Sequence, residues 1–277
     1  MNASSKARRA RATGRRAGRR ASHSRWLRVL AGLGFAAKGL IYLTVGYIAL
    51  RIAFGEDPGE EADNGGALQI IAQGTGGMLL LWAIAVGLAG LTLWQALVAV
   101  VRSGTAAQRA GAAARAVTCA VLTTAIATFL LGRGAPESQD GQSKELTAQL
   151  MELPFGRWIV GIIGAVVVAV GVHQVWKALT RRFTHELALG GTRRPTRRAV
   201  VMTGTLGITT HGLVLGMAGV FFVQAALAFD EERAEGLDGT LRAFSETAAG
   251  PYALVAVAVG VVLYGAYCFC QARWQRT

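Results

Sequence analysis

Long apolar stretches separated by short polar segments make up most of this chain. Each stretch is apolar around the whole helical circumference, because polar residues lie between the stretches instead of recurring every three or four positions. A bilayer core about 30 Å thick is crossed by roughly 20 apolar residues in a helix. The pattern therefore predicts six membrane-spanning helices, at residues 29–53, 77–101, 114–131, 158–179, 199–229 and 251–271.

Charges between the predicted spans alternate in sign along the chain. The connections after the first, third and fifth spans contain all but one of the 16 acidic residues, the exception being Glu186. Arginine clusters lie before the first span and around Arg193 and Arg194. Because cytoplasmic connections retain Lys and Arg, the alternation predicts that both termini are cytoplasmic and that the acidic connections are external.

Composition favours lipid as the solvent for most of the chain. Of the 277 residues, 52% are hydrophobic and 16% are charged, which leaves few polar side chains to cover a water-soluble fold of this size. The net charge of +13 is concentrated beside the spans, notably in residues 1–24, which we expect to be a disordered basic cytoplasmic tail. We expect this tail to bind anionic lipids. An acidic protein partner is the alternative, and the lack of aromatic residues in the tail argues against specific nucleic-acid binding.

The chain also repeats internally. A shift of 173 positions aligns the first pair of spans with the last pair, and it superposes Gly34 on Gly207, Lys38 on His211, Gly39 on Gly212, Gly46 on Gly219 and Trp94 on Tyr267. The middle pair matches less closely, with Lys38 on Arg115 at a shift of 77. Each unit has two spans, so successive units enter the membrane in the same direction. The expected fold is an all-α integral membrane protein, a six-helix transmembrane bundle of three parallel two-helix repeats at 25–102, 109–182 and 198–273.

The repeat residues resemble those of a known family. The relevant motifs are Ala37-Lys38-Gly39-Leu40-Ile41-Tyr42, Asp63-Asn64-Gly65-Gly66-Ala67-Leu68, Gly236-Leu237-Asp238-Gly239-Thr240-Leu241 and Tyr264-Gly265-Ala266-Tyr267. As a set, over about residues 28–273, they resemble the bacterial membrane family catalogued as domain of unknown function 1206. The middle unit departs from the pattern, with Arg115-Ala116-Val117-Thr118 at the matching place. The resemblance implies three two-helix units in a bacterial plasma membrane and brings no known activity.

Cations within the spans are the candidates for a binding site. Lys38, Arg115 and His211 occupy one repeat position, in the first helix of each unit. A charge at the bilayer centre costs roughly 3 kcal/mol or more, so such residues are candidates for a function. Together they predict a site for an anion or a lipid headgroup. In the alternative, Arg115 lies at the edge of its span, Lys38 snorkels from a depth of roughly 12 Å, and His211 hydrogen-bonds a neighbouring helix.

Motifs for catalysis, cofactors and metals are missing from the sequence. It has no zinc-protease motif, nucleophile elbow or phosphate-binding loop, and we expect no cofactor and no metal. His173 has no ligand partners at metal spacing, so we expect it to hydrogen-bond across helices. Asp and Glu are absent from the predicted spans, which disfavours proton-driven transport and aspartyl chemistry within the membrane.

Glycine and aromatic residues have structural explanations. Gly87, Gly90, Gly212 and Gly216 are expected at close helix contacts. The aromatic residues near the predicted cytoplasmic ends of the helices are expected to form an interfacial belt, and they are Trp26, Trp94, Trp176, Tyr267 and Trp274.

Two functions are compatible with these patterns. The sequence favours a non-enzymatic scaffold or accessory component that organises membrane-protein partners. The alternative is a small channel or facilitator for anions or lipid headgroups, lined by Lys38, Arg115 and His211. A membrane enzyme would need a polar cluster that the spacing does not demand, assembled from Thr118, Cys119, Thr123, Thr124, His173 and Gln174.

Overall fold

The computed structural model describes residues 25–56, 59–101, 106–132, 139–228 and 250–275. Within these ranges the chain forms eight α-helices and no β-strand. The helices are α1 Arg25–Ala53, α2 Asn64–Gln73, α3 Gly77–Val101, α4 Ala106–Leu130, α5 Gln139–Met151, α6 Gly156–Leu179, α7 Arg194–Ala228 and α8 Gly250–Trp274. A short 3₁₀ helix, Arg182–Glu186, lies between α6 and α7. The predicted tail at 1–24 and the acidic fifth connection lie outside the described residues.

Five of these helices are long and apolar enough to cross a membrane. They contain the candidate spans Val29–Ala53, Gly77–Leu97, Gly156–Leu179, Arg194–Ala228 and Tyr252–Trp274. The third predicted span differs, because the apolar part of α4 is limited to Ala116–Leu130. That part is roughly 22 Å long at 1.5 Å per residue, which is less than the bilayer core. The six-span prediction is therefore matched at five positions, and the early turns of α4 are polar.

Short linker helices precede the second long helix of the first two units. The first linker helix, α2, begins after Asp63, whose Oδ1 accepts a 2.7 Å hydrogen bond from the Gly66 amide. This is an N-cap, which satisfies a backbone donor that the first helical turn leaves free. The second linker helix, α5, precedes α6 in the same way that α2 precedes α3.

The turns of the first two units also correspond. In both of these units a glycine with positive φ follows the end of the first long helix, Gly55 at 78° and Gly132 at 70°. A second positive φ occurs directly before the next long helix, at Gly76 (77°) and at Phe155 (67°). Of these four residues, Phe155 is the one that is not glycine, and a side chain makes positive φ less favourable. The loosely matching middle unit therefore keeps the turn geometry of the first.

Glycines bring the main chains of neighbouring helices together. Between α1 and α8, a Cβ added at Gly265 would lie 2.9 Å from the Gly39 carbonyl oxygen. Between α6 and α7, a Cβ at Gly212 would lie 2.9 Å from the Gly171 carbonyl oxygen. A Cβ at Gly87 would lie 3.0 Å from the main chain of α1. The prediction of close helix contacts is confirmed at Gly87, Gly90 and Gly212, since only small residues permit such distances. At Gly216 the main chain lies close to Gly171, but a Cβ added at Gly216 itself would meet nothing within 4 Å.

These contacts follow the internal repeat. Gly34 approaches α3 and its counterpart Gly207 approaches α8, so each faces the second long helix of its own unit. Gly39 approaches α8 and its counterpart Gly212 approaches α6, so each faces the second long helix of another unit. Residues related by the shift of 173 therefore have related packing partners.

The long helices pack on one another in a single order: α4, α3, α1, α8, α7, α6. The two helices at the ends of this order, α4 and α6, belong to the middle unit, and among the described residues they make no extensive contact with each other. We call the gap between them the seam. The described long helices thus pack in one continuous order whose two ends are both helices of the middle unit.

Apolar packing closes the two ends of the bundle. The segment after α6 folds back, with Phe183, Leu187 and Leu189 buried, and the Ala188 amide donates a 2.7 Å hydrogen bond to the Trp274 carbonyl oxygen. At the opposite end, Leu68 of α2 is buried in the same core. The acidic N-cap of α2, Asp63, is also buried at this end.

Burial changes the interpretation of two aromatic residues. Trp94 is 5% exposed and Tyr267 is 2% exposed, whereas Trp176 is 44% exposed. The predicted interfacial belt is therefore wrong for Trp94 and Tyr267. Both face neighbouring helices, where Trp94 lies 6.2 Å from the Phe35 ring and Tyr267 lies 5.5 Å from the Phe183 ring.

Candidate functional site

Lys38 lies deep within α1, three residues before the middle of the span Val29–Ala53. Its Nζ lies 5.6 Å from the centre of the Tyr42 ring and 5.5 Å from the centre of the Tyr264 ring. Tyr42 is one helical turn further along α1, on the same face. Both distances fall within the range of cation–π contacts. The ammonium group therefore stays between two rings inside the bundle and does not extend to the end of the helix.

His211 is the middle residue of the span Arg194–Ala228 and meets the same two tyrosines. Its ring stacks on Tyr264, with centroids 4.2 Å apart and an interplanar angle of 24°. Its Nε2 lies 3.0 Å from the Tyr42 hydroxyl, and its Nδ1 lies 3.2 Å from Oε1 of Gln174. Because a carboxamide oxygen only accepts, Nδ1 donates to Gln174, and Nε2 accepts from Tyr42.

Lys38, Tyr42, Gln174, His211 and Tyr264 form what we call the central polar cluster. It draws its side chains from α1, α6, α7 and α8. The main chain of α8 is held close at this level, because a Cβ at Gly207 would lie 2.5 Å from the Tyr264 nitrogen. Hydrogen bonds between membrane helices average about 0.6 kcal/mol each. The cluster therefore links four helices and holds the Tyr42 and Tyr264 rings beside the Lys38 ammonium group.

Accessibility differs within the cluster. Tyr42 and Tyr264 are buried, but Lys38, Gln174 and His211 each retain part of their accessible surface. The spans that the structure describes contain no Asp or Glu. Within those spans, the Lys38 ammonium thus has aromatic faces around it and no carboxylate counter-ion. This arrangement can accept an anionic group.

The structure brings together two of the three predicted site residues. Lys38 and His211 both contact Tyr42 and Tyr264. Arg115 belongs to α4, but its side chain lies outside the described residues. The three-residue site stays a prediction.

The polar pair on α6, His173 and Gln174, differs from the prediction in which residue bonds to another helix. His173 is exposed, and its ring lies 5.9 Å from Trp176 of the same helix. The expected bond across helices is made by Gln174 instead, through His211. The two residues are adjacent on a helix and therefore face about 100° apart. Their order along the helix decides which one reaches the core.

Sequence reasoning missed the two tyrosines of the cluster. Tyr42 had a usable signal, because it follows Lys38 by four residues within one family motif. Tyr264 also begins a family motif, but nothing local connects it with Lys38. Only the packing of α8 against α1 and α7 brings it there.

Two of the threonines considered for an enzyme, Thr123 and Thr124, form hydrogen bonds within their own helix. The Thr123 hydroxyl donates a 2.7 Å hydrogen bond to the Cys119 carbonyl oxygen, and the Thr124 hydroxyl donates a 2.8 Å bond to that of Val121. Such backbone bonds satisfy hydroxyl groups inside apolar helices. Across the described ranges, no group of three or more His, Cys, Asp or Glu residues is placed to hold a metal.

Comparisons with known proteins agree with the repeat. The chain is 28% identical over 259 residues to "Uncharacterized protein YxxB" of Bacillus subtilis (strain 168), which covers 90% of this chain and 92% of the relative. No solved structure matches the chain. The family described as Domain of Unknown Function (DUF1206) matches three times, at residues 33–102, 110–181 and 206–275. The family resemblance seen in the motifs is thereby confirmed, and the protein belongs to the DUF1206 family.

Proposed function

We propose that this protein is a non-enzymatic, six-span protein of the bacterial plasma membrane that binds an anionic group at the central polar cluster. In this proposal α4 is the sixth span. Its 25 residues extend over roughly 37 Å, enough to cross the bilayer core with its polar first turns in the interface. Both termini are cytoplasmic, and the three repeats are parallel.

The observation that carries the proposal is the Lys38 ammonium near mid-span without a carboxylate in the described spans. Burying such a charge costs roughly 3 kcal/mol or more. A cation–π contact returns about 0.5–2 kcal/mol. A bound anion offsets the remainder by direct charge pairing, and Lys38 keeps part of its surface accessible.

A scaffold that organises membrane-protein partners is the second candidate. Its support is the close glycine packing between α1 and α8 and between α6 and α7, which gives a rigid bundle with no need for a ligand. In both proposals the basic tail binds anionic lipids. The two differ in whether Lys38 has an occupant.

Native mass spectrometry of the gently solubilised protein tests these proposals. The comparison uses wild type, Lys38→Met and the control Lys177→Met, because Lys177 pairs with Glu186 at 2.7 Å outside the cluster. We expect wild type and the control to retain one phosphate-bearing molecule or small anion that Lys38→Met retains about tenfold less. Equal retention in all three would overturn the anion proposal. A stoichiometric protein partner in all three, with no bound anion, would favour the scaffold.

The six-span topology has an independent test. Ser103→Cys and Ser138→Cys lie on either side of α4. A membrane-impermeant maleimide applied to intact cells should label Ser138→Cys and leave Ser103→Cys unlabelled. Wild type, with its three native cysteines, gives the background. Equal labelling of the two positions, whether neither or both react, would show that α4 does not cross.

A further inference from the structure

The packing of the long helices limits the routes by which an anion could reach the central polar cluster. Among the described residues, the packing order of the long helices has its two ends at α4 and α6, on either side of the seam. Of the candidate spans, α6 is the least enclosed, with 17% of its most apolar window buried against 50% in α1. Its outer face exposes Ile162 and Val166, and α4 exposes Val117 and Val121. The helices on both sides of the seam therefore present apolar side chains.

Access along the axis of the bundle is poor. At the end where α8 finishes, Phe183 packs on the Tyr267 ring, with Leu187 and Leu189 buried in the same core. At the end where α1 finishes, Leu68 and Ile71 of α2 are buried in that core. A water-borne anion would lose its hydration in the apolar packing at the α8 end, and at the α2 end it would meet the buried acidic side chain of Asp63.

The cluster includes a residue of one helix that borders the seam. Gln174 belongs to α6, one of the two helices that flank the seam, and it bonds to His211. Gln174, His211 and Lys38 are the cluster members that keep accessible surface. Tyr42 and Tyr264, which lie behind them on α1 and α8, are buried. The accessible side of the cluster is thus its polar side.

We propose that the occupant is the phosphate headgroup of an anionic lipid, which enters sideways from the bilayer through the seam. This inference rests on the proposed anion site. The phosphate pairs with the Lys38 ammonium, and the acyl chains remain between the apolar faces of α4 and α6. A free phosphate would offer the same charge but no acyl chains to occupy the apolar faces of α4 and α6, and at the α2 end it would pass the buried Asp63.

The test separates the two sources of phosphate. Wild type and Lys38→Met are reconstituted in nanodiscs of phosphatidylcholine alone and given inorganic phosphate or glycerol 3-phosphate, which is a headgroup without tails. A third sample contains phosphatidic acid in the disc and no added phosphate. Bound phosphate per protein is measured after the discs are exchanged into buffer and extracted gently for native mass spectrometry.

We expect retention that depends on Lys38 only with phosphatidic acid, with about a tenfold loss in Lys38→Met. Retention of inorganic phosphate or glycerol 3-phosphate that depends on Lys38 would overturn lateral entry but keep the anion site. No dependence on Lys38 in any sample would overturn both proposals. Thermal unfolding of Lys38→Met checks its fold, and Lys38→Arg should restore binding because it restores the charge.

Adjacent positions on α6 provide a second, matched pair of variants. Gln174→Leu removes the partner of His211 at the edge of the cluster and should lower retention of phosphatidic acid. His173→Leu changes an exposed residue that faces away and should leave retention at the level of wild type. Equal effects of the two variants would contradict a cluster that opens at the seam.

Discussion

The outer units and the middle unit of this protein share a sequence pattern but not a packing arrangement. In the first unit α1 packs on α3, and in the third α7 packs on α8, whereas the middle pair α4 and α6 make no extensive contact among the described residues. Glycines explain why α6 packs against α7. Its Gly164 and Gly171 both face glycines of α7, Gly219 and Gly212.

The difference shows that small residues on both helices decide the pairing. At the shift of 82 that places Trp94 on Trp176, α6 has Ala169 and Val172 where α3 has Gly87 and Gly90, the two glycines by which α3 approaches α1 within the first unit. Larger side chains keep helix axes further apart. The middle unit is therefore the place where the bundle can open, and it is also the unit whose sequence departs most from the repeat.

The strongest way to break this arrangement is to add volume between α6 and α7. In Gly171→Ala the new Cβ would lie 2.7 Å from the Gly212 oxygen and 2.7 Å from the Gly216 nitrogen. Main-chain atoms cannot move aside singly, so we expect a loss of about 3 kcal/mol in unfolding free energy. Denaturation in mixed micelles measures it. The control is Gly216→Ala, whose Cβ meets nothing within 4 Å; an equal loss there would contradict the packing explanation.

A smaller loss is expected within the third unit. In Gly207→Ala the new Cβ would lie 2.5 Å from the nitrogen of Tyr264. We expect a loss of about 2 kcal/mol, together with weaker phosphate retention because the Tyr264 ring shifts. Loss of stability with unchanged retention would separate the packing of this unit from the site.

Removing one hydroxyl from the cluster should cost less. Tyr42→Phe loses the bond to His211, so we expect a loss of about 1 kcal/mol in the same denaturation assay. Tyr267→Phe is the matched change, because the buried Tyr267 hydroxyl has no hydrogen-bond partner among the described residues. It should be neutral or stabilising. A larger cost for Tyr267→Phe would indicate an ordered water or ligand at that hydroxyl.

The smallest effect is expected in the middle unit. Thr124 is exposed on α4, and its hydroxyl bonds only to carbonyl oxygens of its own helix. Thr124→Ala should therefore change the unfolding free energy by no more than about 0.5 kcal/mol. A change as large as that of Gly207→Ala would mean that α4 packs more tightly than the open seam implies.

Sequence patterns were sufficient for several features of this protein. Hydropathy over some 20 residues is a local property, so five spans were found at nearly their observed bounds. The repeat correctly related Gly39 to Gly212, whose contacts are equivalent. The third predicted span differs from the structure because the apolar part of α4, Ala116–Leu130, is shorter than the other spans.

Tertiary structure alone decided the composition of the cluster and the position of the seam. Tyr42 and His211 are 169 residues apart in the chain, and Gln174 comes from a third helix. An all-round apolar helix carries no polar face that would reveal its orientation. Which face meets which neighbour depends on where glycines on two helices coincide, and that coincidence is a property of the assembled bundle.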